Sequence, residues 1–203
     1  MNLPNKLTII RIAIIPLFMA FSVPFSETLI HSPALSGISQ GLTAFNGFIS
    51  GSGWWLSGTI FVVAFITDAL DGYIARKYQM ITDFGKFLDP IADKLLVTAA
   101  FFALVEQQKL SSWIAVIIIS REFIVTGVRL LASSKGVVIA AGNLGKIKTI
   151  LQTIALTLML FRNFYIEFFA TIHLDDIFMF AALVLTIISG VDYILKNKHL
   201  LMD

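Results

Sequence analysis

Apolar residues run along this chain in long blocks separated by short polar segments. A helix needs about 20 mostly apolar residues to cross a bilayer. Six stretches fit that description: Leu7–Pro24, Trp54–Tyr73, Phe84–Val105, Ser112–Leu131, Leu144–Phe161 and Phe168–Leu195. The last is long and is expected to tilt or to extend into water. The short opening MNLPNK is placed in the membrane interface. The pattern predicts an all-α integral membrane protein of six transmembrane helices, folded as a single membrane-embedded domain over residues 1–203. It contains no internal repeat, soluble domain or linker.

Composition agrees with that reading. Hydrophobic residues make up 57% of the 203 and charged residues 14%, against roughly 25% charged in a soluble domain. Mean hydropathy is +0.86. The chain has no cysteine, which excludes a disulfide, a thiolate nucleophile and a zinc–sulfur site. The apolar run after Lys6 lacks a small-residue cleavage site and reads as the first span rather than a signal. The net charge of +2 says less than where the charges sit. Lys6, Arg11, Arg76, Lys77, Lys86, Lys94, Arg121, Arg129, Lys135, Lys146, Lys148, Lys196 and Lys198 fall on one side of the six spans. Lys109 and Arg162 alone fall on the other. The positive-inside rule then puts both termini in the cytoplasm. The first outer loop, Phe25 to Gly53, is rich in Gly and Ser, is uncharged but for Glu27, and reads as filler. Trp54, Trp55 and Trp113 fit the aromatic belt at the interface.

The candidate chemistry lies in one stretch, Asp68 to Asp93, reading DALDGYIARKYQMITDFGKFLDPIAD. Asp68 and Asp71 close the second span, and Asp89 and Asp93 open the third, both at the cytoplasmic side. Residues three or four apart share a helix face. If the two helices pack side by side, four carboxylates converge. Such a group at a membrane edge is too costly to keep without an offset. Two Mg²⁺ or Mn²⁺ ions about 4 Å apart supply one and can clamp a phosphate or pyrophosphate. Gly72 and Gly85 let a ligand or a facing helix approach the backbone. Arg76 can donate to a phosphate oxygen. Thr82 and Asp83 suit a helix start, and Pro90 should kink or loosen the third span near Lys86.

Asp68-x-x-Asp71-Gly72-x-x-Ala75-Arg76, then eight residues, then Gly85-x-x-x-Asp89-x-x-x-Asp93 resembles the signature of the CDP-alcohol phosphatidyltransferases, with every fixed position met. The resemblance implies that family's six-helix membrane fold, a homodimer and a site open to the cytoplasmic face of a bacterial inner membrane. It implies that Asp68, Asp71, Asp89 and Asp93 hold two divalent ions. Asp93 would also be the general base that takes the acceptor's proton. CDP-diacylglycerol would be bound by Asp68, Gly72, Ala75, Arg76, Thr82 and Gly85. Asn5 and Thr8 join that group because LPNKLTIIRI resembles the family's opening. Membrane lipid is the expected surrounding and nucleic acid is not an expected partner.

The signature does not choose the acceptor alcohol. Ser120-Arg121-Glu122-Phe123 and Gly145-Lys146-Ile147-Lys148-Thr149 resemble the corresponding segments of bacterial members that act on glycerol 3-phosphate, as does the opening. A phosphorylated acceptor needs cations, and Arg121, Arg129, Lys146 and Lys148 can supply them. Lys146 and Lys148 are two apart and face different ways on a helix, so one of them is expected to reach the acceptor. Glu122 and Arg129, seven apart, can pair on one face. Lys135 reads as a topological marker. Serine or inositol phosphate is the alternative acceptor. A membrane prenyltransferase and a divalent-cation channel are the competing classes. The first lacks the Gly–Ala–Arg pattern, and the second would need acids near mid-membrane. His31, His173 and His199 lie away from the motif.

Overall fold

A computed structural model describes residues 3–77, 83–137, 142–161 and 173–197. Among them there are helices and turns and no strand. The chain divides into two compact units, Met1–Gln107 and Gln108–Asp203.

The first unit holds α1 (Leu3–Ser22), α2 (Glu27–Ile30), α3 (Ser39–Phe48), α4 (Trp54–Lys77) and α5 (Asp83–Glu106). Helix α1 packs on α4 and α5, and α4 also touches α5. Their contact is built from Phe18 against Phe61, ring centroids 6.1 Å apart, and from small residues. Ala92, Ala99, Ala100 and Ala103 of α5 and Ala64 of α4 are all buried. Small side chains let apolar helices approach closely where lipid supplies no hydrophobic drive between them. Gln107 Nε2 donates to the Ser22 carbonyl at 2.7 Å and ties the ends of α5 and α1 together. Helix α5 runs unbroken across Pro90, where a kink or loosening was expected.

The loop read as filler is ordered structure. A 3₁₀ turn (Pro33–Ile38), α3, a π turn (Ile49–Gly53) and α4 follow one another without a gap. Asn46 grips the Phe25 peptide from both sides, its Oδ1 accepting from the N–H at 2.8 Å and its Nδ2 donating to the carbonyl at 2.7 Å. Phe45 lies within ring contact of Phe21, Phe25 and Phe48. At Gly53 a Cβ would come within 3.2 Å of the Phe21 carbonyl oxygen, so the turn can close there. A Gly- and Ser-rich composition hid a segment whose hold comes from one asparagine and four phenylalanines.

The second unit holds α6 (Ser112–Ser134), α7 (Asn143–Leu160) and α8 (Leu174–Lys196). Helix α8 packs on both of the others. Its inward stripe is Asp175, Met179, Ala182, Thr186, Ser189 and Gly190, the three-and-four spacing of one helix face. Helix α6 ends in a Schellman motif. Gly136 takes φ +75°, and the Val137 N–H reaches the Ala132 carbonyl at 2.9 Å. Helix α8 begins at Leu174 after His173, whose φ is +47°. Residues 168–172 of the expected sixth span lie outside the described residues.

Six helices of 18 to 24 residues therefore fall on the six apolar stretches. Two helical runs, Pro33–Asp68 and Leu174–Lys196, are long and apolar enough to cross a membrane. Large apolar side chains face outward along most of the helices, among them Phe102, Trp113, Leu130, Ile150, Phe180 and Leu195. In water such a surface would drive aggregation; against acyl chains it is the ordinary exterior.

Candidate active site

In the first unit, α1 carries Thr8 and Arg11 one turn apart, both buried. Arg11 is 3% exposed, and its Nη1 lies 2.6 Å from Asp68 Oδ1 on α4. A cation so placed among apolar helices is expensive without a partner, and Asp68 is that partner. The sequence reading took Arg11 as a topological marker. The signal that would have found it is a lone charge inside the run IIRIAII, one turn after Thr8.

Asp68 and Asp71 stand one turn apart on α4, and Asp89 and Asp93 one turn apart on α5. The two helices are in contact. The side chains of Asp71, Asp89 and Asp93 lie outside the described residues, as do those of Asn5, Gly72, Ala75, Arg76 and Gly85, and Thr82 altogether. The donor set suits Mg²⁺ or Mn²⁺, which prefer hard carboxylate oxygens. A carboxylate has two oxygens, so the Arg11 contact through one is compatible with ligation through the other.

In the second unit, two of the cations expected to meet an acceptor come together around one acid. Glu122 Oε1 accepts from Arg121 Nη1 at 3.2 Å and also from Lys148 Nζ. Lys148, on α7, is 2% exposed. Lys146, one residue pair earlier, is exposed on the other face of α7, as the two-residue spacing requires. Arg121 Nη2 donates to Ser189 Oγ on α8 at 2.9 Å. Arg129 does not pair with Glu122. Its guanidinium carbon sits 5.6 Å over the ring centroid of Tyr193, a cation–π contact. Arg121 and Lys148 thus share the Glu122 carboxylate, while Arg129 packs on Tyr193. Ser189, Gly190 and Tyr193 of α8 carry no signal in the sequence, because a small or aromatic residue in an apolar helix looks like packing.

Three further described pairs are local. Asp192 pairs with Lys196 at 2.9 Å, His31 with Glu27 at 3.2 Å and His173 with Asp176 at 3.4 Å. Lys135 is exposed at the end of α6. His199 lies outside the described residues.

The family model described as CDP-alcohol phosphatidyltransferase matches residues 1–188. The chain belongs to the CDP-alcohol phosphatidyltransferase family. Among curated relatives it is 42% identical over 197 residues to the CDP-diacylglycerol–glycerol-3-phosphate 3-phosphatidyltransferase of Bacillus subtilis (strain 168), covering 97% of this chain and 95% of the relative. It is 37% identical to the protein of that name from Rickettsia bellii (strain RML369-C), covering 95% and 93%. It is also 37% identical to the one from Haemophilus influenzae (strain ATCC 51907 / DSM 11121 / KW20 / Rd), covering 100% and 96%.

Proposed function

We propose that this protein transfers the phosphatidyl group of CDP-diacylglycerol to sn-glycerol 3-phosphate, giving phosphatidylglycerophosphate and CMP. Family membership and the relatives' names support the reaction. The observation that supports the acceptor is the pairing of Arg121 and Lys148 on the Glu122 carboxylate, with Arg129 held over Tyr193 on the same helix that contacts Arg121. Basic side chains of this kind suit a phosphomonoester, which carries about two negative charges at neutral pH. A neutral acceptor such as serine has no use for them.

Asp68, Asp71, Asp89 and Asp93 would hold two divalent ions, Mg²⁺ or Mn²⁺. When bound, these ions neutralise charge that develops on the pyrophosphate. Asn5, Thr8, Gly72, Ala75, Arg76, Thr82 and Gly85 hold the CDP part beside Asp68. Arg11 keeps the Asp68 carboxylate in place. Arg121, Arg129 and Lys148 bind the acceptor's phosphate, with the exposed Lys146 at its margin. Asp93 accepts the proton of the acceptor hydroxyl as its oxygen bonds to the β-phosphorus. The bond from that phosphorus to the bridging oxygen breaks, and CMP leaves with the oxygen. The proton then passes from Asp93 to solvent.

The helices would act as six transmembrane spans of one catalytic domain in a bacterial cytoplasmic membrane. Both termini and the site would face the cytoplasm, and the working form would be a homodimer. The test is incorporation of labelled glycerol 3-phosphate into lipid by the purified protein with CDP-diacylglycerol and Mg²⁺. Label should enter phosphatidylglycerophosphate and stop on chelation; a folded protein that incorporates none would reject the proposal.

A further inference from the structure

Helix α8 supports the cation cluster from one side, and its closest approach is at a glycine. A Cβ built on Gly190 would lie 2.9 Å from Arg121 Cγ, 3.4 Å from Nε and 3.7 Å from Cδ. Glycine within a helix is less stable than alanine by about 1 kcal/mol, so room for Arg121 is a reason for its presence there. Next to it, the Ser189 hydroxyl accepts from Arg121 Nη2 at 2.9 Å. One turn further on, Tyr193 carries Arg129 over its ring. Arg121 Nε and the Tyr193 hydroxyl are buried and have no hydrogen-bond partner among the described residues. Buried donors of this kind are normally satisfied.

We propose that Ser189, Gly190 and Tyr193 form a positioning wall for the acceptor's phosphate site, with Gly190 setting where the Arg121 guanidinium lies. The inference rests on the acceptor reading above. Its physical basis is leverage. Cγ is near the Arg121 backbone, so relieving a contact there turns the side chain about its first bond. The guanidinium, three bonds further out, then leaves both Ser189 and Glu122. Glu122 fixes Nη1 and Ser189 fixes Nη2, so the guanidinium plane is held from two sides. Arg121 and Arg129 are each held by α8, through Ser189 and Tyr193.

A double-mutant cycle separates positioning from packing. In Gly190→Ala the KM for glycerol 3-phosphate should rise about tenfold or more, as expected for lost hydrogen bonds to a charged group. The KM for CDP-diacylglycerol should stay near that of the wild type. Arg121→Ala removes every atom the new Cβ would strike. Adding Gly190→Ala to it should therefore change the acceptor KM by less than about twofold, the scatter of independent sites. Ser189→Ala, which adds no bulk, should raise the acceptor KM about threefold through its one hydrogen bond. An unchanged acceptor KM in Gly190→Ala, or full additivity with Arg121→Ala, overturns the inference. If Gly190→Ala does not fold, an unchanged acceptor KM in Ser189→Ala overturns it instead. If Arg121→Ala leaves the acceptor KM unchanged while the wild type turns over, the acceptor reading itself fails and the inference falls with it.

Discussion

The two units treat buried charge in opposite ways. In Met1–Gln107, Arg11 pairs with Asp68, and four more aspartates, Asp71, Asp83, Asp89 and Asp93, follow on α4 and α5. In Gln108–Asp203, two cations, Arg121 and Lys148, meet one acid at Glu122, and Arg129 lies over Tyr193. Under the proposed function the paired aspartates of the first unit serve divalent cations, and the basic side chains of the second serve the acceptor's phosphate. An apolar surrounding raises the cost of leaving either set without its ligand.

The sharpest way to break this comparison is at the base. Asp93→Asn should lower kcat by about a thousandfold or more, within the range of a lost general base. Binding of CDP-diacylglycerol should survive better than in Asp71→Asn; equal loss of binding in both would remove the base assignment. Next in size is Arg11→Ala. Partners that orient metal ligands are worth about 10- to 100-fold in activity or metal affinity. Turnover should fall in that range, Arg11→Lys should recover part of it, and the acceptor KM should not move. An acceptor effect would blur the line between the units.

Lys148→Ala should raise the acceptor KM about tenfold, because it also leaves Glu122 to pair with Arg121 alone. Lys146→Ala, on the exposed face of α7, should change it by less than about threefold, as exposed charges usually do. A reversal of that order would exchange their roles. The smallest effect is expected at Tyr193→Leu, which removes a contact worth about 0.5–1 kcal/mol and should raise the acceptor KM two- to fivefold.

Much of this was legible in the sequence because it rests on local rules. Six apolar stretches became six helices with ends within a few residues of those expected, apart from α8, whose expected first residues lie outside the description. The opposite faces of Lys146 and Lys148 followed from helical geometry alone. What was not legible depends on which helices meet. Arg11 reads as a marker until α4 places Asp68 against it. Arg129 was given Glu122 by spacing along one helix, but a ring on another helix took it. Gly190 has no side chain to announce itself, and its meaning lies in the Arg121 atoms beside it. The segment before α4 looked featureless because its order comes from Asn46 reaching back 21 residues to Phe25.

The most direct measurement is CMP release by the purified protein from CDP-diacylglycerol with Mg²⁺, offered glycerol 3-phosphate, serine or inositol phosphate in turn. The account predicts release with glycerol 3-phosphate and little with the others. Release with serine in place of glycerol 3-phosphate would contradict the reading of Arg121, Arg129 and Lys148 as the seat of a phosphate.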